Sequence, residues 1–133
     1  MSTFPLEIVT PTKILDEGDI SYLRCPAPDG LFGIMSNHRP ALITIVVGEI
    51  KITKNGKESY LATSGGYADI RKEKVQLLLE TVERSQEIDT GRAETAFQRA
   101  KQRLSSEGSD ADHVSARGSV VKTLTRLQVA RRK

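Results

Sequence analysis

The sequence predicts an N-terminal antiparallel β-sandwich followed by a C-terminal hairpin of two antiparallel helices. From Pro5 to Val82, short segments rich in Ile, Val, Thr and Tyr alternate with turn residues, which is typical of antiparallel strands. After Glu83 the apolar residues recur at helical spacing instead. A chain of 133 residues allows one compact core with a small appendage. We place the sandwich at residues 1–84 and the hairpin at residues 88–133.

The clearest strand pair is a hairpin that turns at Asn55-Gly56. Residues 49–53 and 58–61 flank this dipeptide, which supplies the positive φ angles of a tight type I′ turn. Because side chains alternate along a strand, Ile50 and Ile52 fall on one face and the polar residues between them on the other. The sequence therefore predicts a half-buried hairpin.

A second hairpin pairs residues 67–70 with residues 75–79. Its second strand contains the continuous apolar run Leu77-Leu78-Leu79, which predicts a strand buried on both faces. Gly65-Gly66 precedes the first strand, but a phosphate-binding motif and a following helix are both missing from the sequence. A tight turn between strands explains both glycines.

Two amphipathic helices follow the sandwich. Asp89 is placed as the N-cap of the first helix, and residues 105–109 form a break before a second helix from about Asp112 to Arg131. The expected buried stripes are Ala93, Ala96, Phe97, Ala100 and Leu104 on the first helix, and Val114, Val120 or Val121, Leu124 and Leu127 on the second. Isolated helices of this length are marginal in water, so the pair must pack on the sandwich, a ligand or another protein.

Composition excludes several classes of function. The single cysteine, Cys25, cannot form an internal disulfide or a multi-cysteine metal site, and we interpret it as an apolar filler in a strand. His38 and His113 have no second ligand at metal spacing, so no metal is expected. The sequence lacks a nucleophile elbow, and we expect no enzyme. The start resembles no signal peptide and the longest apolar run is short, which predicts a soluble protein.

Positive charge is concentrated in the C-terminal part. Residues 1–84 carry 10 Lys and Arg against 11 Asp and Glu, whereas residues 85–133 carry 10 against 6. Arg92, Arg99 and Arg103 share one face of the first helix, and Lys122 and Arg126 lie one turn apart on the second. A solvated basic face is the common outcome of such spacing, and a polyanion site formed by the folded hairpin is the sharper alternative. A nucleic-acid-binding tail is a further alternative, although it lacks interleaved aromatic residues.

Three segments resemble one known family. Residues 30–40 (GLFGIMSNHRP) resemble the G-x-x-G-I-x-x-x-H-x-P loop of the epsilon subunit of bacterial-type F1 ATP synthase. Residues 64–67 (SGGY) are similar to the S-G-G-aromatic turn of these subunits, and residues 88–93 (IDTGRA) to the I/L-D-x-x-R-A signature that begins their C-terminal helix. The order, spacing and length agree over essentially the whole chain.

The resemblance implies a non-catalytic rotor subunit of a proton-translocating F-type ATP synthase. The sandwich would contact the gamma subunit and the c-ring through Asp29, Leu31, His38 and Arg39. Leu31 stands where many members carry an acidic residue, which predicts a more apolar c-ring contact. The folded hairpin would be permissive, and a hairpin extended along gamma towards the alpha and beta subunits would inhibit ATP hydrolysis. The setting would be the cytoplasmic face of the plasma membrane, or the stromal face of the thylakoid for a cyanobacterial or plastid chain.

The resemblance also implies a regulatory nucleotide site, because some bacterial members bind one ATP in the folded hairpin without hydrolysing it. The residues implied are Glu83, Ile88, Asp89 and Ala93 on the adenine and ribose side, with Arg92, Arg99, Lys122 and Arg126 near the phosphates. Lys122 replaces an expected arginine and offers a point charge in place of a planar fork. We therefore expect weak binding of ATP, with or without magnesium, and no obligatory cofactor or nucleic-acid partner.

Overall fold

The computed structural model describes residues 2–106 and 110–132. Two five-stranded sheets pack face to face and are followed by a 3-10 turn and two helices, so the predicted sandwich with a helical hairpin is confirmed. The strands are β1 Phe4–Val9, β2 Ile14–Ile20, β3 Tyr22–Ala27, β4 Gly30–Ile34, β5 Ala41–Ile45, β6 Gly48–Lys54, β7 Lys57–Thr63, β8 Gly66–Ile70, β9 Val75–Leu79 and β10 Val82–Arg84. The 3-10 turn is Ser85–Glu87, and the helices are α1 Thr90–Ser105 and α2 Asp110–Ala130.

The first sheet has the strand order β2-β1-β9-β8-β5 and the second the order β10-β7-β6-β3-β4. Nearly all pairs are antiparallel, as predicted, but β1 runs parallel to β9. No tight turn joins these two strands, since the rest of the sandwich lies between them in sequence. Their relative direction is therefore set by the fold and not by a local hairpin.

The core between the sheets is aliphatic and belongs entirely to the sandwich. Its buried members run from Phe4 to Val82, with Ile8, Leu23 and Leu61 fully inaccessible. Cys25 lies in this core, as the sequence predicted, and burial raises the pKa of its thiol to about 12. The sandwich thus closes its own core without a contribution from the helices.

The predicted hairpin at Asn55-Gly56 is confirmed. Asn55 and Gly56 have φ angles of 52° and 75°, and Lys54 pairs with Lys57 across the turn. Ile50 and Ile52 point into the core with 0% and 3% of their surface exposed. The turn therefore fixes the register that buries this face.

The prediction that β9 is buried on both faces is wrong. Val75, Leu77 and Leu79 are buried, but Leu78 between them is 38% exposed. Although β9 is an interior strand of its sheet, only one face of each sheet meets the other sheet. The apolar run therefore continues onto the outer face.

The segment around Gly30 to Gly33, expected as a loop, is largely a strand. Only Pro28 and Asp29 turn between β3 and β4, and Leu31 pairs with Pro26 of β3. A side chain at position 33 would force Tyr22 to shift, because a Cβ atom there would lie 2.7 Å from the Tyr22 hydroxyl. The segment forms an edge strand of the second sheet.

The hairpin helices begin and pack largely as predicted. The Asp89 carboxylate accepts a hydrogen bond from the backbone N–H of Arg92 at 3.0 Å, which confirms the N-cap. Ala93, Ala100 and Leu127 are buried. The predicted break at residues 105–109 lies partly outside the described residues, because residues 107–109 are not among them.

The predicted stripe of α2 is wrong at Val114. Val114 is 65% exposed, whereas Thr125 and Val129 on the same helical side are buried. Of the two alternatives at the next position of the stripe, Val120 is half-buried and Val121 is 50% exposed. The C-terminal part of α2 packs on β6, β7 and the 3-10 turn as well as on α1. The sandwich thus covers only the C-terminal end of the side of α2 that carries Thr125 and Val129.

Candidate functional site

The hairpin meets the sandwich through a second, small apolar cluster. Its buried members are Ala62 from β7, Ile88 and Ala93 from the start of the hairpin, and Leu127, Val129 and Ala130 from the end of α2. Tyr60 and Phe97 pack at its edge. The helices are therefore folded against the outer face of the second sheet.

Glu83 and Arg126 form a bidentate ion pair beside this cluster. Arg126 donates from Nε to Glu83 Oε1 at 2.7 Å and from Nη2 to Glu83 Oε2 at 3.1 Å. Guanidinium and carboxylate groups favour this bidentate geometry. The Glu83 carboxylate raises the pKa of the Arg126 guanidinium. Both side chains keep over a third of their surface in solvent, so the pair contributes on the order of 1 kcal/mol or less.

A cleft of about 410 Å³ lies beside this ion pair, between the sandwich and α2. The charged groups on its walls are Glu80, Glu83, Lys122 and Arg126. The hydroxyls of Thr63, Ser64, Thr81 and Thr125 complete the polar part. The volume falls within the range of small-molecule sites, and both signs of charge are present.

The sequence analysis did not predict the hydroxyl groups of Thr63, Ser64 and Thr81 on one side of this cleft. Thr63 Oγ1 donates to the Thr81 carbonyl at 2.8 Å, and Thr81 Oγ1 donates to Ser64 Oγ at 2.7 Å. These bonds join the end of β7 to the β9–β10 connection, 17 or 18 residues further on. Only the S-G-G-aromatic segment pointed towards this part of the chain.

The eight candidate nucleotide residues do not all line one cavity. Glu83, Lys122 and Arg126 line the cleft on α2, whereas Arg92 and Arg99 line a separate cleft of about 400 Å³ on α1. Ile88 and Ala93 are buried in the apolar cluster between the hairpin and the sandwich, and Asp89 caps α1. Arg92, with 91% of its side chain exposed, has room to move towards a ligand.

The arginines at the end of the chain are paired with carboxylates. Arg131 donates to Glu94 of α1 at 3.0 Å, and Arg132 donates to Glu49 of β6 at 3.0 and 3.2 Å. Lys133 lies outside the described residues. The positive charge that suggested a nucleic-acid-binding tail is thus largely neutralised within the folded chain.

The four residues expected at subunit contacts fall at two ends of the sandwich. Asp29 and Leu31 lie near the β3–β4 turn, beside Val46, whose N–H donates to Pro26 O at 3.0 Å. His38 lies at the other end, where its ring meets Phe4 edge-on at 5.4 Å, and Arg39 is exposed beside it. Five-residue strands separate the two ends by roughly 16 Å.

An exposed apolar row crosses the outer face of the first sheet. The pairing register places Ile14, Val9, Leu78 and Tyr67 side by side on adjacent strands. Ile14 is 67% exposed and Tyr67 is 51% exposed. A groove of about 650 Å³ runs along Val9, Leu78 and Tyr67. We call these four residues the apolar row.

Within residues 2–106 and 110–132, no group of three or more His, Cys, Asp or Glu side chains is placed to hold a metal ion. No helix in this part of the chain is long and apolar enough to cross a membrane.

Comparison with known families accounts for nearly the whole chain. Residues 3–85 match the family model described as ATP synthase, Delta/Epsilon chain, beta-sandwich domain, and residues 86–131 match the long alpha-helix domain of the same chains. The chain belongs to the ATP synthase epsilon family. Its members are stalk subunits, and the catalytic sites lie in other subunits.

Individual epsilon chains align over almost their full length. The ATP synthase epsilon chain of Desulforamulus reducens is 36% identical over 125 residues, which cover 94% of this chain and 95% of that one. The epsilon chain of Shouchella clausii is 35% identical over 133 residues, covering 100% and 98%. The resemblance that the sequence motifs indicated is thereby confirmed.

The fold also matches a solved chain at low sequence identity. A chain in the Euglena gracilis mitochondrial ATP synthase assembly of OSCP, F1 and c-ring superimposes with a TM-score of 0.85 at 16% identity, covering 98% of this chain and 82% of that one. This similarity supports the arrangement of sandwich and helices.

Proposed function

We propose that this epsilon-family chain is a central-stalk subunit that couples F1 to the c-ring and restrains ATP hydrolysis through its helical hairpin. The observation that carries the proposal is the division of the chain into two apolar clusters. The sandwich core is complete without the helices, and the helices dock through the small cluster around Ala62 and Leu127. An appendage held in this way can detach without unfolding the domain that carries it.

The apolar row supports contact with a partner subunit. Exposed apolar surface with a neighbouring groove is typical of protein interfaces. Asp29 and exposed Leu31 would contact the c-ring from one end of the sandwich, and His38 and Arg39 would contact gamma from the other. The separation of these two pairs is consistent with a subunit that touches two partners.

The paired arginines support a hairpin that exchanges partners when it extends. In the folded chain Arg126, Arg131 and Arg132 are neutralised by Glu83, Glu94 and Glu49. Extension would give up the contacts of Arg126 and Arg132 with the sandwich, and acidic segments of the beta subunits would replace them. As the family resemblance implies, the folded hairpin would be the permissive state and the extended hairpin the inhibitory one.

Regulatory ATP binding is the finer part of the proposal. The cleft on α2 would receive the phosphates at Lys122 and Arg126, with Arg92 and Arg99 closing from α1. The Glu83 carboxylate is already paired with the Arg126 guanidinium, so the phosphates of ATP must compete with it. The affinity for ATP is therefore expected to be low. Ligand that binds only the folded hairpin would stabilise it by roughly 2.7 kcal/mol at a hundredfold excess over Kd.

The proposed setting is peripheral, at the cytoplasmic face of the plasma membrane or the thylakoid stromal face. The subunit would reach the membrane only through its contact with the c-ring.

Calorimetric titration of the full chain with ATP, with and without magnesium, tests the nucleotide site. Saturable binding should be lost in an Arg92→Ala, Arg126→Ala double variant, which removes one cation from each cleft. Arg117→Ala is the matched control, since Arg117 is exposed on α2 and lines neither cleft. Absence of binding up to millimolar ATP would contradict the nucleotide site and leave a hairpin set by partner subunits alone.

A further inference from the structure

The end of α2 is fastened to the sandwich by a contact separate from the nucleotide cleft. Arg132 donates from Nε to Glu49 Oε2 at 3.0 Å and from Nη2 to Glu49 Oε1 at 3.2 Å. The guanidinium carbon also lies 4.6 Å from the centre of the Tyr60 ring. A bidentate ion pair and a cation–π contact thus converge on one side chain.

Neighbouring side chains of the sandwich also contact the groups that receive Arg132. Arg24 of β3 contacts Glu49 Oε1 at 3.4 Å, and Glu49 keeps only 18% of its side chain exposed. The Tyr60 hydroxyl donates to Glu58 at 2.7 Å, and Lys51 pairs with the same carboxylate at 3.0 Å. Both the carboxylate and the ring are therefore fixed by neighbouring strands, which lowers the entropic cost of closing the contact.

Chain connectivity makes this contact important for detachment of the hairpin from the sandwich. α1 is covalently tied to the sandwich through the 3-10 turn at Ser85–Glu87, whereas the C-terminal end of α2 is held only by non-covalent contacts. Detachment of the hairpin from the sandwich must therefore break the contacts at the end of α2.

We propose that Glu49 and Tyr60 form a receptor for the Arg132 guanidinium, and that this clamp controls release of the hairpin from the sandwich. The clamp acts without a ligand, so it goes beyond the proposed nucleotide site. It rests on the proposed detachment of the hairpin from the sandwich. Because its groups are partly exposed, added salt weakens it, and release is favoured at high ionic strength.

The neighbouring arginine supplies a matched control. Arg131 pairs with Glu94 of α1, so its contact lies within the hairpin and moves with it. Removing either arginine deletes one positive charge from the same turn of the chain. Only the loss of Arg132 removes a bond between the hairpin and the sandwich.

Hydrogen–deuterium exchange of the full chain without nucleotide tests the clamp. In Arg132→Gln and in Glu49→Gln, the amides of residues 124–130 should exchange about fivefold faster, while Arg131→Gln should change them by less than about twofold. The Arg132→Gln, Glu49→Gln double variant should be no faster than Arg132→Gln alone, because Glu49 acts on the end of α2 only through Arg132. High salt should shrink the difference between the chain and these variants.

Exchange in β1 and β9 serves as the control for folding and should be unchanged in every variant. Equal exchange in Arg132→Gln and Arg131→Gln would overturn the clamp, as would additive effects of Arg132→Gln and Glu49→Gln. The titration with ATP is independent of this result, because no nucleotide is present here.

Discussion

Glu83, in the last strand of the sandwich, and Arg126, in the last helix, are joined by two hydrogen bonds of 2.7 and 3.1 Å across 43 residues of sequence. The pair lies between the buried cluster under α2 and the cleft that contains Lys122. It therefore belongs both to the docking of the hairpin and to the proposed nucleotide site.

Removing the Glu83 charge should loosen α2 only slightly. Glu83→Gln leaves Arg126 with a weaker acceptor, and the expected loss is on the order of 1 kcal/mol or less because both side chains are partly exposed. Hydrogen–deuterium exchange of the amides around residue 126 measures this loss of stability. Glu80 lines the same cleft and takes part in none of the ion pairs found in the described part of the chain. Glu80→Gln is therefore the control and should leave amide exchange unchanged.

Truncation should separate the two parts of the molecule. A chain without residues 88–133 should keep its β-sheet circular dichroism, because the core from Phe4 to Val82 is complete without them. Cys25 is an internal reporter, since burial raises the pKa of its thiol to about 12 and should keep it unreactive towards iodoacetamide at neutral pH. A truncated chain that is unfolded and readily alkylated would contradict the two-part organisation.

The apolar cluster should dominate docking of the hairpin. Leu127 is 2% exposed, and Leu127→Ala should cost about 2–5 kcal/mol of docking stability through lost burial and a residual cavity. Val121→Ala is the control on the same helix, because Val121 is 50% exposed, and it should change stability by less than about 0.5 kcal/mol. Urea unfolding followed by helical circular dichroism compares the two, and equal midpoints would argue against the cluster.

The Tyr60 hydroxyl should ionise at a higher pH than an ordinary tyrosine. Its hydrogen bond to Glu58 raises the pKa of the Tyr60 hydroxyl, so the stability from this bond is present below about pH 10 and is lost as the pH rises through the higher folded-state value. The same bond, with help from Lys51, lowers the pKa of Glu58. Its contribution is therefore present above the usual glutamate pKa and is lost as the pH falls through the lower folded-state value.

Phenolate absorbance measures the alkaline side of this prediction. The difference between the chain and Tyr60→Phe should isolate a component that ionises above the ordinary tyrosine range. Glu58→Gln should bring that component back towards pH 10. An unchanged midpoint in Glu58→Gln would show that the carboxylate is not the cause.

Local signals predicted the elements that depend on neighbours in sequence. The Asn55-Gly56 turn and the Asp89 cap follow from the chemistry of a few adjacent residues. The family motifs indicated the whole fold through the resemblance that they carry, although residues 30–34 of the first motif form a strand and not a loop.

Contacts between distant residues were beyond the sequence patterns. Glu49 and Arg132 are 83 residues apart, and the parallel pairing of β1 with β9 has no local signature. Val114 was expected to be buried because its spacing fits the α2 stripe, yet the sandwich covers only the far end of that helix. Exposure there depends on how far α2 extends past the sheet, which helical spacing does not encode.

ATP hydrolysis by F1 reconstituted with this subunit tests the central claim most directly. The account predicts that the full chain inhibits hydrolysis and that a chain lacking residues 88–133 binds the complex without inhibiting it. Equal hydrolysis rates with the two chains, at equal occupancy of the complex, would contradict a regulatory role for the hairpin.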